Sequence, residues 1–243
     1  MPERLKGSAE GPDNSRMPGP QEVLEAASSI RDAAMHLVQT ADKRVRVEDY
    51  LTVLAAATGE AALADSGCID IEYNDMTPGQ GILGDSINLI LSGDVTDLAG
   101  VGRLTVLGVM RDMLVPRVLP AETFCPIEDL YRHTVEHIHT VPWGSVAVSV
   151  PEANRPRVLP IQYAFKMRPF VNQVANSLNF QFVPVSPDKP VGWGRHVLCA
   201  AALASGIEQT VSAIDPKVGL TLALEVTFGM AKMVPMSEDA TDS

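Results

Sequence analysis

Residues 50–64 would be apolar around their whole circumference if they fold as a helix, and this constrains the fold more than any other feature. The interruptions in this segment are Thr52, Thr58, Gly59 and Glu60. Residues 218–231 are similar, because their polar positions fall on a narrow strip that carries Thr221, Glu225, Gly229 and, just beyond, Lys232. A helix that is apolar on all sides belongs in the middle of a bundle or at a subunit interface. Both segments therefore predict a helical core of several layers.

The spacing of apolar residues predicts helices along most of the chain. The predicted helices span residues 21–41, 46–66, 82–92, 95–115, 121–140, 158–179, 191–214 and 216–233. Alternating, strand-like patterns are confined to residues 69–73, 145–150 and 180–182, and could form at most a minor β-ribbon. The predicted fold class is therefore all-α, a multi-helix bundle of about seven or eight helices with long proline-rich connections.

The chain of 243 residues suits one large domain, which we expect at residues 21–234. Residues 1–20 and the acidic residues 235–243 cannot bury enough apolar surface to offset the cost of ordering, so both are predicted to be disordered tails. Four prolines between residues 142 and 160 bias that segment away from helix. We expect it to be a long ordered loop or a crossover connection rather than a core element.

Charge and composition exclude several classes of protein. The net charge is −11, and no Lys or Arg occurs between Val47 and Gly102. Nucleic-acid binding is disfavoured because it needs clustered basic residues. The acidic residues are explained most simply as a solvated surface, with a cation-binding role as the alternative. No apolar run approaches the roughly 20 residues that span a bilayer, and the widely spaced cysteines with no signal segment predict a reduced, cytoplasmic protein.

The stretch YRHTVEHIHTVPWG at residues 131–144 holds three of the chain's five histidines. At 100° per residue, a helix here places His133 and His137 one turn apart at the edge of the core face. Glu136 and His139 fall on the opposite side. A di-iron bundle is disfavoured, because its Glu-x-x-His pairs project inward and occur on two helices, whereas this pair points outward and has no second copy.

His133 and His137 could share one divalent metal ion, such as zinc, iron or manganese. A further ligand would have to come from elsewhere in the chain. The candidates are Glu60, His196, His36 and Asp32. The alternative is that the two are boundary histidines near a helix C-terminus, where the helix dipole favours an imidazolium.

Glu60 is the only charged residue in its apolar segment. A buried carboxylate there could serve as a general base or a metal ligand. The simpler interpretation is a carboxylate at a partly exposed edge or one paired with an arginine. His196 lies on the core face of its predicted helix, and we expect a neutral, hydrogen-bonded core histidine.

Three functional hypotheses follow. The first is a binding or assembly protein that acts through self-association or a protein partner, because two helices are apolar all round and no catalytic motif is complete. The second is a metal-dependent enzyme with His133 and His137 as ligands and Glu60 as base or third ligand, acting on a small molecule between helices. The third is a helical pocket that binds a small effector, with Trp143 and Trp193 as walls.

Overall fold

The computed structural model describes residues 18–71, 74–93, 104–138, 140–178 and 193–237. These residues form eight α-helices, which confirms the predicted all-α bundle. The helices are α1 (Pro20–Val38), α2 (Val47–Ser66), α3 (Asp85–Ser92), α4 (Val106–Leu114), α5 (Ile127–His137), α6 (Pro160–Ser177), α7 (Arg195–Thr210) and α8 (Pro216–Ala231). Short 3-10 turns lie at Ala121–Thr123 and Glu152–Asn154. Within this part of the chain, no helix is long and apolar enough to cross a membrane.

Each α-helix overlaps one predicted segment, and local capping sets several of the ends. The Thr105 hydroxyl accepts a hydrogen bond from the backbone N–H of Gly108 at the start of α4, and Asp215 caps α8 through the N–H groups of residues 217–218. Gly67 ends α2 with a φ of 66°, in the left-handed region that favours glycine. The predicted helix at 95–115 is observed only from residue 106, and residues 94–103 lie outside the described part.

In the described segments β-structure is minimal, and it does not use the described part of the strands that we predicted. The one β-contact there is an antiparallel bridge between Gly81 and Met233. Hydrogen bonds of 2.8 Å from the Gly79 N–H to the Val234 carbonyl and from the Ile82 N–H to the Lys232 carbonyl flank it. Residues 145–150 form an irregular segment that pairs with no strand in this part of the chain, and residues 72–73 and 180–182 lie outside it.

Helices α2 and α8 lie side by side in the centre of the bundle. Every residue of α8 from Leu222 to Ala231 is buried, as is nearly all of α2. Helices α1, α3, α6 and α7 pack around α2. The two apolar helices therefore occupy the middle of the bundle, one of the two predicted positions, and are covered by elements of the same chain.

The polar strip of α8 is covered by residues 145–150. A Cβ atom on Gly229 would lie 2.5 Å from Val146 Cγ1, so the segment runs directly against the helix at this point. The Ser149 backbone N–H donates to the buried Glu225 carboxylate over 2.7 Å. Lys232 Nζ is also buried and donates to Asn88 Oδ1 over 2.7 Å. The proline-rich connection is an ordered loop, as predicted, but it also contributes to the core.

Gly59 permits the close approach of α2 to α8. A Cβ atom at Gly59 would lie 2.4 Å from the Thr227 carbonyl oxygen and 2.9 Å from the Ala231 nitrogen, both backbone atoms that cannot move aside locally. A Cβ atom at Gly219, also helical, would meet its nearest neighbour at 3.4 Å. The two glycines thus differ in whether a methyl group can be accommodated.

We therefore expect Gly59→Ala to lower the free energy of unfolding by about 2 kcal/mol or more, because it forces the two central helices apart. Gly219→Ala should be neutral or stabilise by up to about 1 kcal/mol, since alanine favours helix over glycine. Urea denaturation followed by circular dichroism measures both. Equal stability of Gly59→Ala and the wild type would contradict this packing.

Candidate functional site

A cavity of about 290 Å³ opens between α2 and α6, and we call it the α2/α6 cleft. One face of each helix lines it, together with residues 69–71 and Arg195 from α7. The helical lining residues are Ala57, Glu60, Ala61 and Ala64 of α2, and Ala164, Arg168, Val171 and Asn172 of α6. Their spacing of three or four residues puts each set on one helix face. The space exists because half of these eight facing side chains are alanines.

A buried ion pair joins the two walls of the cleft. Arg168 Nε donates to Glu60 Oε1 over 2.7 Å and Arg168 Nη2 donates to Glu60 Oε2 over 3.1 Å. The side chains are 13% and 5% exposed, respectively. Arg168 Nη2 also donates to the Met236 carbonyl over 2.6 Å, and its guanidinium lies 5.1 Å from the Phe165 ring centroid. Glu60 is thus paired with an arginine, as one interpretation held, but it is buried rather than at an exposed edge.

A second ion pair, formed by Asp65 five residues further along α2, holds Arg195 at the cleft. Arg195 Nε donates to Asp65 Oδ1 over 2.9 Å, and Arg195 Nη1 donates to Asn172 Oδ1 over 3.1 Å. Asp65 Oδ2 also accepts a hydrogen bond from the backbone N–H of His196 over 2.9 Å. Asp65 therefore ties the end of α2 to the start of α7.

His196 is buried and hydrogen-bonded, as predicted. Its Nδ1 lies 2.8 Å from Asp65 Oδ2 and its Nε2 lies 2.8 Å from the Leu104 carbonyl oxygen. Because both ring nitrogens face acceptors, only the doubly protonated imidazolium can donate to both. A neutral ring donates to one of these two acceptors, and the neutral state of His196 stays a prediction.

The pKa of Asp65 reflects opposing influences. Burial raises the pKa of this carboxyl, and the hydrogen bond and charge of His196, together with the charge of Arg195, lower it. The lowering prevails, and the pKa of Asp65 lies below its ordinary value of 3.8. The carboxylate is therefore ionised at neutral pH.

His133 and His137 lie at the edge of the core face of α5, as predicted. Their ring centroids are 4.6 Å apart. His133 Nε2 is 3.1 Å from the Ala147 carbonyl oxygen and 3.7 Å from Glu225 Oε1, while His137 Nδ1 is 2.8 Å from the His133 carbonyl oxygen. Glu136 is exposed on the opposite side, and His139 lies outside the described residues.

The structure does not bring Glu60 to this histidine pair. Both Glu60 oxygens face Arg168, and the acid beside His133 is Glu225. His196 contacts Asp65, and His36 Nδ1 lies 2.7 Å from the carbonyl oxygen of its own-helix neighbour Asp32. Across the described segments, no three His, Cys, Asp or Glu side chains are grouped so that they could hold a metal ion. A metal at His133 and His137 stays a prediction. The carboxylate that lies beside this pair is that of Glu225.

Neither tryptophan lines the α2/α6 cleft among the residues that the structure describes. Trp143 is 53% exposed; its indole N–H donates to the Pro78 carbonyl over 2.8 Å, and its ring packs against Gly79. Trp193 is partly buried and does pack against the core.

Sequence analysis missed Arg168, Asn172 and Arg195. One signal could have identified Arg168: it lies in line with Ala164, Val171 and Ala175, and all three of these are buried. A cation on the apolar face of a helix needs a partner anion. That partner could not be read from spacing, because it lies 108 residues away.

Comparisons with models of known protein families, with curated proteins and with solved structures found no match.

We expect Asp65→Asn to lower the free energy of unfolding at pH 7 by about 3 kcal/mol, because it removes the anion from a buried charge cluster. Since the folded pKa of Asp65 lies below 3.8, its contribution is present above about pH 4 and is lost as the pH falls through the folded value. The difference between wild type and variant should therefore shrink on acidification.

Urea denaturation at a series of pH values measures this difference. Asp42→Asn, at an exposed position, is the control and should follow the wild type closely. If the free energies of unfolding of the wild type and Asp65→Asn differ by the same amount down to the lowest pH, the lowered pKa of Asp65 is contradicted.

Proposed function

We propose that this protein binds a small molecule in the α2/α6 cleft. The observation that carries the proposal is the buried, bidentate Glu60–Arg168 pair in the wall of a cavity. Burying two charges is costly, and an apolar pair of similar volume would hold the helices together at least as well. Stability alone therefore does not account for these charges at this place, whereas recognition of a ligand does.

The composition of the cleft supports the same proposal. Binding sites for small molecules combine a mostly apolar wall with a few well-placed polar groups. Here alanine and valine side chains supply the wall, and Arg168, Asn172 and Arg195 supply polar groups. A volume of about 290 Å³ lies near the lower end of such sites, which favours a small metabolite over a peptide. The charged cluster around Asp65, with its shifted pKa, lies beside it.

A cytoplasmic location belongs to the proposal. Cys68, Cys125 and Cys199 are all free, which is typical of proteins in a reducing compartment.

Thermal unfolding in the presence of a panel of organic acids, amines, sugars and nucleosides tests the cleft. A compound that binds should raise the unfolding temperature of the wild type, since a ligand at 100 times its Kd adds about 2.7 kcal/mol of stability. Ala64→Leu should abolish the shift, because leucine fills the cleft from a half-buried position.

Ala213→Leu, exposed beyond the end of α7, is the matched control and should keep the shift. If no compound stabilises the wild type, or if one stabilises it and Ala64→Leu equally, the proposal is wrong.

Self-association is a second candidate function, but the two apolar helices no longer support it. The central helices that motivated it are covered within the chain, but large apolar side chains are exposed elsewhere, and three of them lie in or against one connection. Leu83 is 67% exposed and Met76 39% exposed in the connection before α3, and Trp143 packs against Gly79 of the same connection. Such a patch supports a homo-oligomer or a protein partner.

Light scattering at micromolar concentration tests this candidate. We expect a wild-type mass above 26.0 kDa and a monomer for Leu83→Ser, because the substitution removes the most exposed member of the patch. Val211→Ser, exposed at the end of α7, is the control. A strictly monomeric wild type would rule out a homo-oligomer.

A further inference from the structure

Two N–H donors in the α2/α6 cleft have no hydrogen-bond partner among the described residues. Arg168 uses Nε and Nη2 for its contacts with Glu60 and Met236, which leaves Nη1. Asn172 accepts from Arg195 through Oδ1, which leaves the Nδ2 amide group. Both side chains line the cavity. Arg168 is mostly buried, so its remaining N–H groups have little access to bulk water outside the cleft.

The acceptor atoms beside these donors are already engaged. Both oxygens of Glu60 accept from Arg168, and both oxygens of Asp65 accept from Arg195 or His196. The side-chain oxygen of Asn172 is turned to Arg195. The polar groups offered at this end of the cleft are therefore donors, and one of them is charged. Their chemical complement is an anionic acceptor with two oxygens, the arrangement that a guanidinium binds most strongly.

We infer that the ligand is a small carboxylate, whose oxygens accept hydrogen bonds from Arg168 Nη1 and Asn172 Nδ2. The inference rests on the proposed function and names its ligand class. The rest of the molecule lies along the apolar part of the lining. That part includes Ala57, Ala61, Ala64, Ala164 and Val171.

Isothermal titration of the full-length protein with hexanoate, hexanamide and hexylamine tests the head group. The three probes share a six-carbon chain and differ in the charge of the polar end. We expect hexanoate to bind at least about tenfold more tightly than hexanamide, because hydrogen bonds to an ion are roughly twice as strong as neutral ones. Hexylamine should bind more weakly than hexanamide.

Variants at other positions test whether hexanoate binds at these residues. Arg168 itself is kept, because its loss would leave Glu60 buried and unpaired. Asn172→Ala should weaken hexanoate binding by about tenfold, as expected for a lost bond to a charged group. Asn176→Ala, exposed one turn further along α6, is the matched control and should bind normally.

The outcomes separate the ligand class from the proposed function. Hexanamide or hexylamine binding as tightly as hexanoate, with binding lost in Ala64→Leu, would overturn the carboxylate assignment and leave the cleft as the binding site. Hexanoate binding that is unchanged in both Ala64→Leu and Asn172→Ala would overturn the assignment and contradict the cleft itself. If hexanoate does not bind at millimolar concentration, the carboxylate assignment is also wrong. Thermal unfolding of the wild type and Ala64→Leu with the panel of compounds then decides separately whether the cleft binds a small molecule.

Discussion

The close contact between α2 and α8 at Gly59 is the constraint on which the rest of the structure depends. At this position the backbones approach so closely that a methyl group on Gly59 would overlap the Thr227 carbonyl. With α8 fixed against one side, α2 is left with its other faces for α1, α3, α6 and α7. The α2/α6 cleft is a consequence of this arrangement, because alanines stand on both facing surfaces and do not fill the space between them.

Two ion pairs define the polar side of that cleft, and both begin on α2. Glu60 reaches α6 through Arg168, and Asp65, five positions later, reaches the start of α7 through Arg195. Asn172, which lies on α6 like Arg168, accepts a hydrogen bond from Arg195. The network fixes the orientation of both guanidinium groups, since planar, multiply bonded arginines keep little rotational freedom. A site that is ordered in this way before ligand binding loses less entropy when the ligand arrives.

The helices could be predicted because their signal is local. Apolar spacing sufficed for all eight, and the same geometry placed His133 and His137 correctly at the edge of the core face of α5. The site could not be predicted, because its contacts join residues far apart in the chain. Nothing near Glu60 indicates Arg168. The polar strip of α8 likewise looks solvent-facing until residues 145–150 are known to lie across it.

A crystal structure of the protein saturated with hexanoate tests the central claim most directly, because it locates the ligand and its head group at once. The account predicts density in the α2/α6 cleft, with the carboxylate oxygens within hydrogen-bond distance of Arg168 Nη1 and Asn172 Nδ2 and the alkyl chain along Ala61 and Ala64. Ligand bound elsewhere, for example beside His133 and Glu225, or an empty cleft at saturating concentration, would contradict it.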